Sequence, residues 1–105
     1  GVVTMWDVVF TKQAVKDAKN LKAAGLDAKA KHLIEVVRKD PFGQPPSYKA
    51  LVGNLAGLYS RRINLQHRLV YEVAREAHVK EGIEYIGTVK IVRMWSHYND
   101  AQPMK

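Results

Sequence analysis

The sequence contains no cysteine, which excludes disulfide bonds and thiolate metal sites. It also lacks an apolar run long enough to cross a bilayer. The apolar stretch 2–10 is too short, is interrupted by Asp7, and is not preceded by a basic segment. We therefore expect a cytoplasmic protein that makes no membrane contact.

Several kinds of catalytic pattern are missing as well. No glycine-rich loop suitable for cradling phosphates is present, and no pair of carboxylates is placed for glycosidase-type acid–base chemistry. The four histidines, at positions 32, 67, 78 and 97, do not have the spacing of metal ligands. We therefore expect neither a metal nor any other cofactor.

Acidic residues are scarce relative to basic ones. The 105 residues include 17 Lys and Arg but only 10 Asp and Glu, which gives a formal net charge of +7. A surface of this sign suits a nucleic acid or an acidic protein partner, and charge alone does not choose between them. The length suits a single domain, residues 1–105, with one modest core.

The first half of the chain predicts one strand and two helices. The strand covers 5–10 and is apolar enough to be mostly buried. Helical spacing of apolar residues then continues to about position 24, with Thr11 as the N-cap and Gly25 as the C-cap. A second helix, capped by Asp27, ends before Pro41, because the residue preceding proline is disfavoured in the helical region.

The second half predicts a loop followed by strands. Prolines and glycines mark 41–53 as the loop, and β-branched and aromatic residues predict strands at 55–63, 67–75 and 89–98. The segment 76–88 either extends a hairpin or forms a mobile flap. Strand, two helices and then strands are typical of the α+β class, with the helices on one face of an antiparallel sheet.

Positive charge is concentrated on the predicted hairpin around the turn 64–66. A three-residue turn pairs Arg62 with Arg68 and points Arg61 to the opposite face. Like charges directly opposite each other are destabilising, so the pair is either splayed into solvent or used together on an anion. Phosphate is the anion that the planar arginine fork matches best. The hairpin residues alone leave both interpretations open.

A second candidate group lies at the end of the last predicted strand, at His97 and Tyr98. Histidine and tyrosine can move protons, and a strand end can expose side chains on a rigid scaffold. Strand alternation points the two side chains to opposite faces unless the strand ends between them. The alternatives are that His97 caps a sheet edge and that Tyr98 is a packed aromatic residue.

These residues carry a resemblance to a known family. The run 54–71, NLAGLYSRRINLQHRLVY, followed by 89–98, VKIVRMWSHY, closely resembles the Txe/YoeB toxins of bacterial toxin–antitoxin modules, within the RelE-like superfamily. Shorter matches at 6–14, 24–26 and 41–42 extend the resemblance over nearly the whole chain.

The resemblance implies a RelE-like fold, with two helices in the N-terminal half packed on one face of a small antiparallel β-sheet. It implies a ribosome-dependent endoribonuclease that cuts mRNA in the A site through attack of the 2′-hydroxyl, leaving a 2′,3′-cyclic phosphate. The partners implied are an acidic antitoxin of the YefM, Axe or Phd type, the 70S ribosome and a second copy of the chain. The catalytic positions carried over are Arg62, Arg68, His97 and Tyr98.

Three further residues complete the predicted site: Arg61, His67 and Lys49 as contacts to RNA, with Lys49 also a catalytic position because it stands where the family usually has glutamate. Lys49 departs from the family, whose members usually have glutamate in a Tyr-Glu-Lys-Leu stretch where this chain has Tyr48-Lys49-Ala50-Leu51. A protonated amine binds phosphate but cannot accept the 2′-hydroxyl proton, unless burial and nearby arginines favour its neutral form. We therefore expect attenuated cleavage.

Two competing interpretations belong to another class of function. In the first, the chain is a non-catalytic basic protein that binds the ribosome, RNA or an antitoxin, because Lys49 has replaced the base. In the second, it is a nucleic-acid-binding domain without a link to the ribosome, and the terminal His97-Tyr98 pair argues against this one.

Overall fold

The computed structural model describes residues 5–45 and 47–95. In chain order the helices and strands are β1 (Trp6–Phe10), α1 (Lys12–Ala23), α2 (Asp27–Lys39), β2 (Lys49–Ala50), β3 (Leu58–Arg62), β4 (Arg68–Ala74), β5 (His78–Lys80), β6 (Ile83–Tyr85) and β7 (Gly87–Arg93). The predicted order of strand, two helices and strands is confirmed. The loop 41–53 also contains the short strand β2, and a 3₁₀ turn, Gly53–Leu55, replaces the start of the strand predicted at 55–63.

Five strands form one sheet in the order β1-β7-β4-β3-β2. The pairs β2–β3, β3–β4 and β4–β7 are antiparallel, whereas β1 pairs with β7 in parallel. The sheet is therefore mixed rather than purely antiparallel. The β3–β4 hairpin was predicted, and the β2–β3 pair was not. Parallel neighbours cannot be joined by a tight turn, and here the connection between β1 and β7 runs through both helices and the remaining strands.

The two ends of α1 are set by Thr11 and Gly25. The Thr11 hydroxyl accepts a hydrogen bond from the Ala14 amide, which confirms the predicted N-cap of α1. Beyond the last turn, Gly25 has a φ of +77°, and the Leu26 amide donates to the Leu21 carbonyl over 2.8 Å. This is a Schellman ending, and glycine adopts its left-handed conformation without a steric penalty.

The start of α2 differs from the prediction. Leu26 occupies the N-cap position without a side-chain hydrogen bond, and Asp27 lies in the first turn. The prediction that Asp27 caps α2 is therefore wrong, although a carboxylate in the first turn still complements the helix dipole. Because the Schellman ending of α1 leads directly into α2, no residue is left between them for a separate capping turn.

The core lies between the two helices and one face of the sheet. Its buried members come from both helices and from the strands: Trp6, Ala14, Leu21, Ala30, Leu33, Val37, Ile63, Leu69, Tyr71, Val89, Ile91 and Met94. Side chains alternate along each strand, so their neighbours Asp7, Ser60 and Arg62 point to the other side of the sheet. We call that side, which faces away from α1 and α2, the open face.

The segment 76–88 contains the hairpin β5–β6, which forms a separate two-stranded sheet. The alternative that this segment extends a hairpin of the main sheet is therefore wrong, because among the described residues β5 and β6 pair only with each other. Asp7 of β1 fastens it: its carboxylate is 3.0 Å from His78 Nε2 and 2.8 Å from Lys80 Nζ. These contacts hold the hairpin against the β1 end of the sheet.

The last strand, β7, begins two residues earlier than predicted, at Gly87, and ends at Arg93, so Met94 and Trp95 of the predicted strand 89–98 lie beyond its end. A Cβ atom at Gly87 would collide with the Ala74 carbonyl oxygen and would lie 2.5 Å from the ring of Trp6. Glycine therefore allows β7 to pass close to both neighbours. Among the described residues, no helix is both long enough and apolar enough to cross a membrane.

Candidate active site

The open face near the turn of the β3–β4 hairpin carries four polar side chains. We call Lys49, Ser60, Arg62 and Arg68 the open-face cluster. Arg62 and Arg68 are direct partners across the two strands, so the pairing predicted from the sequence is confirmed. Lys49 is paired with Ser60, which places it diagonally across from Arg62 at the usual separation of about 7–8 Å.

One arginine of this cluster is oriented by a buried hydroxyl. Arg68 Nη1 donates to Ser60 Oγ over 3.1 Å, and Ser60 has no exposed surface. Arg68 itself is half-buried, while Arg62 and Lys49 are exposed. The hydrogen bond reduces the freedom of the Arg68 side chain, and the strand pairing places Arg62 directly opposite it on the same face. Two guanidinium groups on one face can bind one phosphate together.

Arg61 lies on the opposite, covered face and has no exposed surface. Its Nε atom donates to the Tyr71 hydroxyl over 3.0 Å, and Nη2 donates to the Pro41 carbonyl over 2.9 Å. A guanidinium enclosed in this way has no surface to offer RNA. The predicted RNA contact by Arg61 is therefore wrong, and the side chain connects β3 and β4 to the end of the helical layer.

Aromatic rings surround that buried cation. The Arg61 guanidinium carbon lies 5.4 Å from the centre of the Tyr48 ring and 6.0 Å from that of Tyr71. The Tyr71 hydroxyl also donates to the Pro41 carbonyl over 2.7 Å. Burial raises the pKa of Tyr71 above its ordinary value, against the opposing effect of Arg61. This cage stabilises a positive charge that water cannot reach.

His67, like Arg61, is buried and packs against other side chains of the protein. Only 5% of its surface is exposed, and its ring stacks on Trp95 with 4.1 Å between the ring centres. The Asn64 side chain accepts a hydrogen bond from the His67 amide over 2.7 Å and so shapes the turn. The prediction that His67 contacts RNA is therefore wrong, because Trp95 covers its ring. The stack fastens the end of the described chain to the hairpin.

Sequence reasoning missed Asp17, a buried acid on α1. Its carboxylate accepts hydrogen bonds from Arg93 Nε at 2.8 Å and from the Met94 amide at 2.9 Å. Burial alone would raise the pKa of Asp17, but these hydrogen bonds outweigh it and hold the pKa below its ordinary value of 3.8. A signal was present, since Asp17 falls on the apolar stripe of α1, between Ala14 and Leu21.

Asp17 and His67 therefore fix the chain at 93–95 from two sides, through Arg93 and Trp95. The predicted catalytic residues His97 and Tyr98 follow directly and lie outside the described residues. Lys49 is exposed on the open face. The open-face cluster thus offers cations that can bind phosphate, and no carboxylate occupies the Lys49 position.

Comparison with solved structures defines the class of protein. The fold is similar to that of a YoeB/ParE toxin from Agrobacterium tumefaciens, with a TM-score of 0.70 and 26% identity over 88% of this chain and 99% of the other. It is also similar to a heterotetrameric YoeB-YefM toxin-antitoxin complex from Staphylococcus aureus, with a TM-score of 0.64 and 29% identity over 89% of this chain and 98% of the matched one. The fold is thus that of the RelE-like toxins.

The sequence narrows this class to one family. The family described as YoeB-like toxin of bacterial type II toxin-antitoxin system matches residues 10–98, and the chain belongs to that family. Toxin YoeB of Synechocystis sp. is 46% identical over 61 residues, which are 55% of this chain. That match spans 60% of the Synechocystis protein's length.

Proposed function

We propose that the chain is the toxin of a toxin–antitoxin module and acts as a ribosome-dependent endoribonuclease on mRNA. The observation that carries this proposal is the pairing of Arg62 with Arg68 on the open face, with Arg68 fixed by Ser60. Membership of the YoeB-like family makes a phosphate of RNA the anion to expect there. The net charge of +7 favours a polyanionic partner.

The reaction would be an internal transfer within the RNA. The 2′-oxygen bonds to the adjacent phosphorus, the bond from phosphorus to the 5′-oxygen breaks, and a 2′,3′-cyclic phosphate and a 5′-hydroxyl result. One proton leaves the 2′-hydroxyl and another is given to the 5′-oxygen. Charge builds up on the phosphorane oxygens, where preorganised donors stabilise the transition state.

The described residues would supply that charge stabilisation. Arg62 and Arg68 would contact the phosphorane oxygens from the two strands of the hairpin. We assign protonation of the leaving 5′-oxygen to His97 and positioning of the RNA to Tyr98, as in the resemblance. In support, the stack of His67 on Trp95 holds the chain beside the hairpin two residues before His97.

Acceptance of the 2′-hydroxyl proton is the step for which this protein lacks the family's usual carboxylate. Lys49 is exposed at the position where family members usually have glutamate. An exposed ammonium can hold the phosphate but has no lone pair to take a proton. We therefore propose that cleavage is slow. The same observation favours a second candidate, a toxin-like protein that binds the ribosome, RNA or an antitoxin without cutting.

The proposed partners follow from this activity. An acidic antitoxin of the YefM, Axe or Phd type would cover the open-face cluster, as its charge complements Arg62 and Arg68. The 70S ribosome would supply the mRNA substrate, which would place the protein in the cytoplasm. A homodimer stays a prediction, which light scattering on the purified chain can check.

Purified ribosomes carrying a defined mRNA test the proposal. The chain is added, and the mRNA ends are mapped by primer extension, with Arg68→Ala as the control. We expect slow cleavage at the A-site codon that leaves a 5′-hydroxyl and is absent for Arg68→Ala. Ribosome binding without any cut would select the second candidate, and cleavage of free RNA at an equal rate would contradict the requirement for the ribosome.

A further inference from the structure

A groove of about 580 Å³ lies next to the open-face cluster, between α2 and the end of β3. It is lined by residues from α2, from the loop before β2 and from the end of the hairpin strand: Ala28, Lys29, His32, Pro45, Arg62 and Ile63, with Leu33 at its base. Its volume is within the roughly 300–1,000 Å³ of typical small-ligand sites. It is therefore large enough to take one nucleotide.

The groove has an apolar base and a basic rim. Leu33 and Ile63 are buried, with 5% and 6% of their surface exposed. Lys29, His32 and Arg62 are exposed around them. The described residues that line the groove include no acidic side chain. This combination suits a ligand that carries both a flat, partly apolar group and a negative charge.

Arg62 is the last residue of β3 and lies beyond the two residues paired with β2, where the end of the sheet meets α2. It can therefore line the groove while its strand position is paired with Arg68 of the open-face cluster. A chain of phosphates and bases bound at the cluster can therefore continue into the groove without leaving the protein surface. The exposed ring of His32 can stack on an unpaired base, and Lys29 can approach the phosphate beside it.

We propose that this groove binds the mRNA nucleotide next to the scissile phosphate, with its base on His32 and its phosphate between Lys29 and Arg62. The inference rests on the proposed function, since it takes the open-face cluster as the place where the RNA is cut. It makes His32 and Lys29 binding residues, which contact the substrate outside the reacting atoms.

Cross-linking tests the position directly. The photo-crosslinking residue p-benzoylphenylalanine replaces His32, and in a matched control it replaces Lys16, an exposed residue of α1 that does not line the groove. Each protein is irradiated on ribosomes that carry a defined mRNA codon in the A site. We expect the His32 position, and not the Lys16 position, to cross-link to the mRNA within one or two nucleotides of that codon.

The outcomes separate this inference from the proposed function. Cross-linking to the A-site codon without cleavage would support mRNA binding in the groove and contradict the nuclease activity. Cleavage without cross-linking from position 32 would contradict mRNA binding in the groove. Cross-linking to ribosomal RNA alone would overturn the assignment to mRNA. Cross-linking from position 32 only to a co-expressed antitoxin would show that the groove docks a protein, which also overturns it.

Binding measurements on the same ribosomes supply a second readout. His32→Ala should weaken binding of the chain to mRNA-loaded ribosomes roughly 5- to 150-fold, the range for loss of base stacking. His32→Phe keeps a flat ring and should restore most of that loss, whereas Lys16→Ala should change little. Equal binding by the His32→Ala and Lys16→Ala proteins would contradict the stacking role.

Discussion

Arg61 and Arg62 are neighbours on β3, yet they lie in opposite environments. Arg61 points to the covered face, where Tyr71 and the Pro41 carbonyl enclose it. Arg62 points to the open face, where it is exposed and paired with Arg68. Strand alternation, rather than residue type, therefore separates a structural guanidinium from one that can contact a ligand.

The largest expected effect comes from the open face, at Lys49. Lys49→Glu should raise ribosome-dependent cleavage about 10²- to 10⁴-fold, because a carboxylate is ionised at neutral pH and can accept the 2′-hydroxyl proton. Mapping mRNA ends over time for the unmodified chain, Lys49→Glu and Lys49→Ala gives the rates. If the unmodified chain cuts as fast as Lys49→Glu, cleavage is not attenuated. If Lys49→Ala loses activity and Lys49→Glu gains little, the lysine itself acts as the base.

On the covered face, Arg61→Ala should lower the free energy of unfolding by about 3–5 kcal/mol, the range for truncating a large buried side chain. The loss removes hydrogen bonds to Tyr71 and Pro41 together with the contacts to the aromatic cage. Arg62→Ala is the matched control, with an expected change within about 0.5 kcal/mol because its side chain is exposed. Urea denaturation followed by circular dichroism measures both, and equal losses would contradict the comparison.

Arg68→Ala should lower cleavage on the order of 10²- to 10³-fold, as expected when a preorganised donor to the transition state is removed. Its effect on stability should stay at about 1 kcal/mol, the typical net contribution of a hydrogen bond such as the one to Ser60, since the Arg68 side chain is only half-buried. A Lys90→Ala variant, on β7 and exposed, is the control. Full cleavage by a folded Arg68→Ala protein would exclude a phosphate clamp between the two arginines.

The smallest expected effect concerns the helical layer rather than the hairpin. Asp17→Asn removes the charge that pairs with Arg93 and should cost about 2 kcal/mol, below the 3–5 kcal/mol of fully buried pairs because 30% of the Arg93 side chain is exposed. The lowered pKa of Asp17 means that its contribution is complete above pH 3.8 and is lost as the pH falls through the folded value. Urea midpoints at pH 7 and pH 3 should therefore differ less for the Asp17→Asn variant than for the unmodified chain.

Local rules predicted the parts of the fold that depend on neighbours in sequence. The pairing of Arg62 with Arg68 followed from a three-residue turn and a period of two, and the N-cap at Thr11 followed from its hydroxyl. The parallel pairing of β1 with β7 could not be predicted in this way, since it joins residues about 80 positions apart.

The site residues could likewise be predicted only where they depend on neighbours in sequence. Periodicity showed that Arg61 and Arg62 face opposite ways, but it could not say which face the helices would cover. The burial of Arg61 depends on the carbonyl of Pro41, 20 residues earlier, and the burial of His67 depends on Trp95. Both corrections therefore come from long-range packing. His97 and Tyr98 lie outside the described residues and stay predictions.

One paired measurement tests whether Arg61 stabilises the fold while its neighbour Arg62 acts on the substrate. Arg61→Lys and Arg62→Lys are compared for urea stability and for cleavage of ribosome-bound mRNA at equal folded concentration. Lysine keeps the charge but loses the planar fork. We predict that Arg61→Lys lowers the urea midpoint without changing cleavage, and that Arg62→Lys lowers cleavage on the order of tenfold or more at an unchanged midpoint. An unstable Arg62→Lys protein, or a stable Arg61→Lys protein that no longer cuts, would contradict the account.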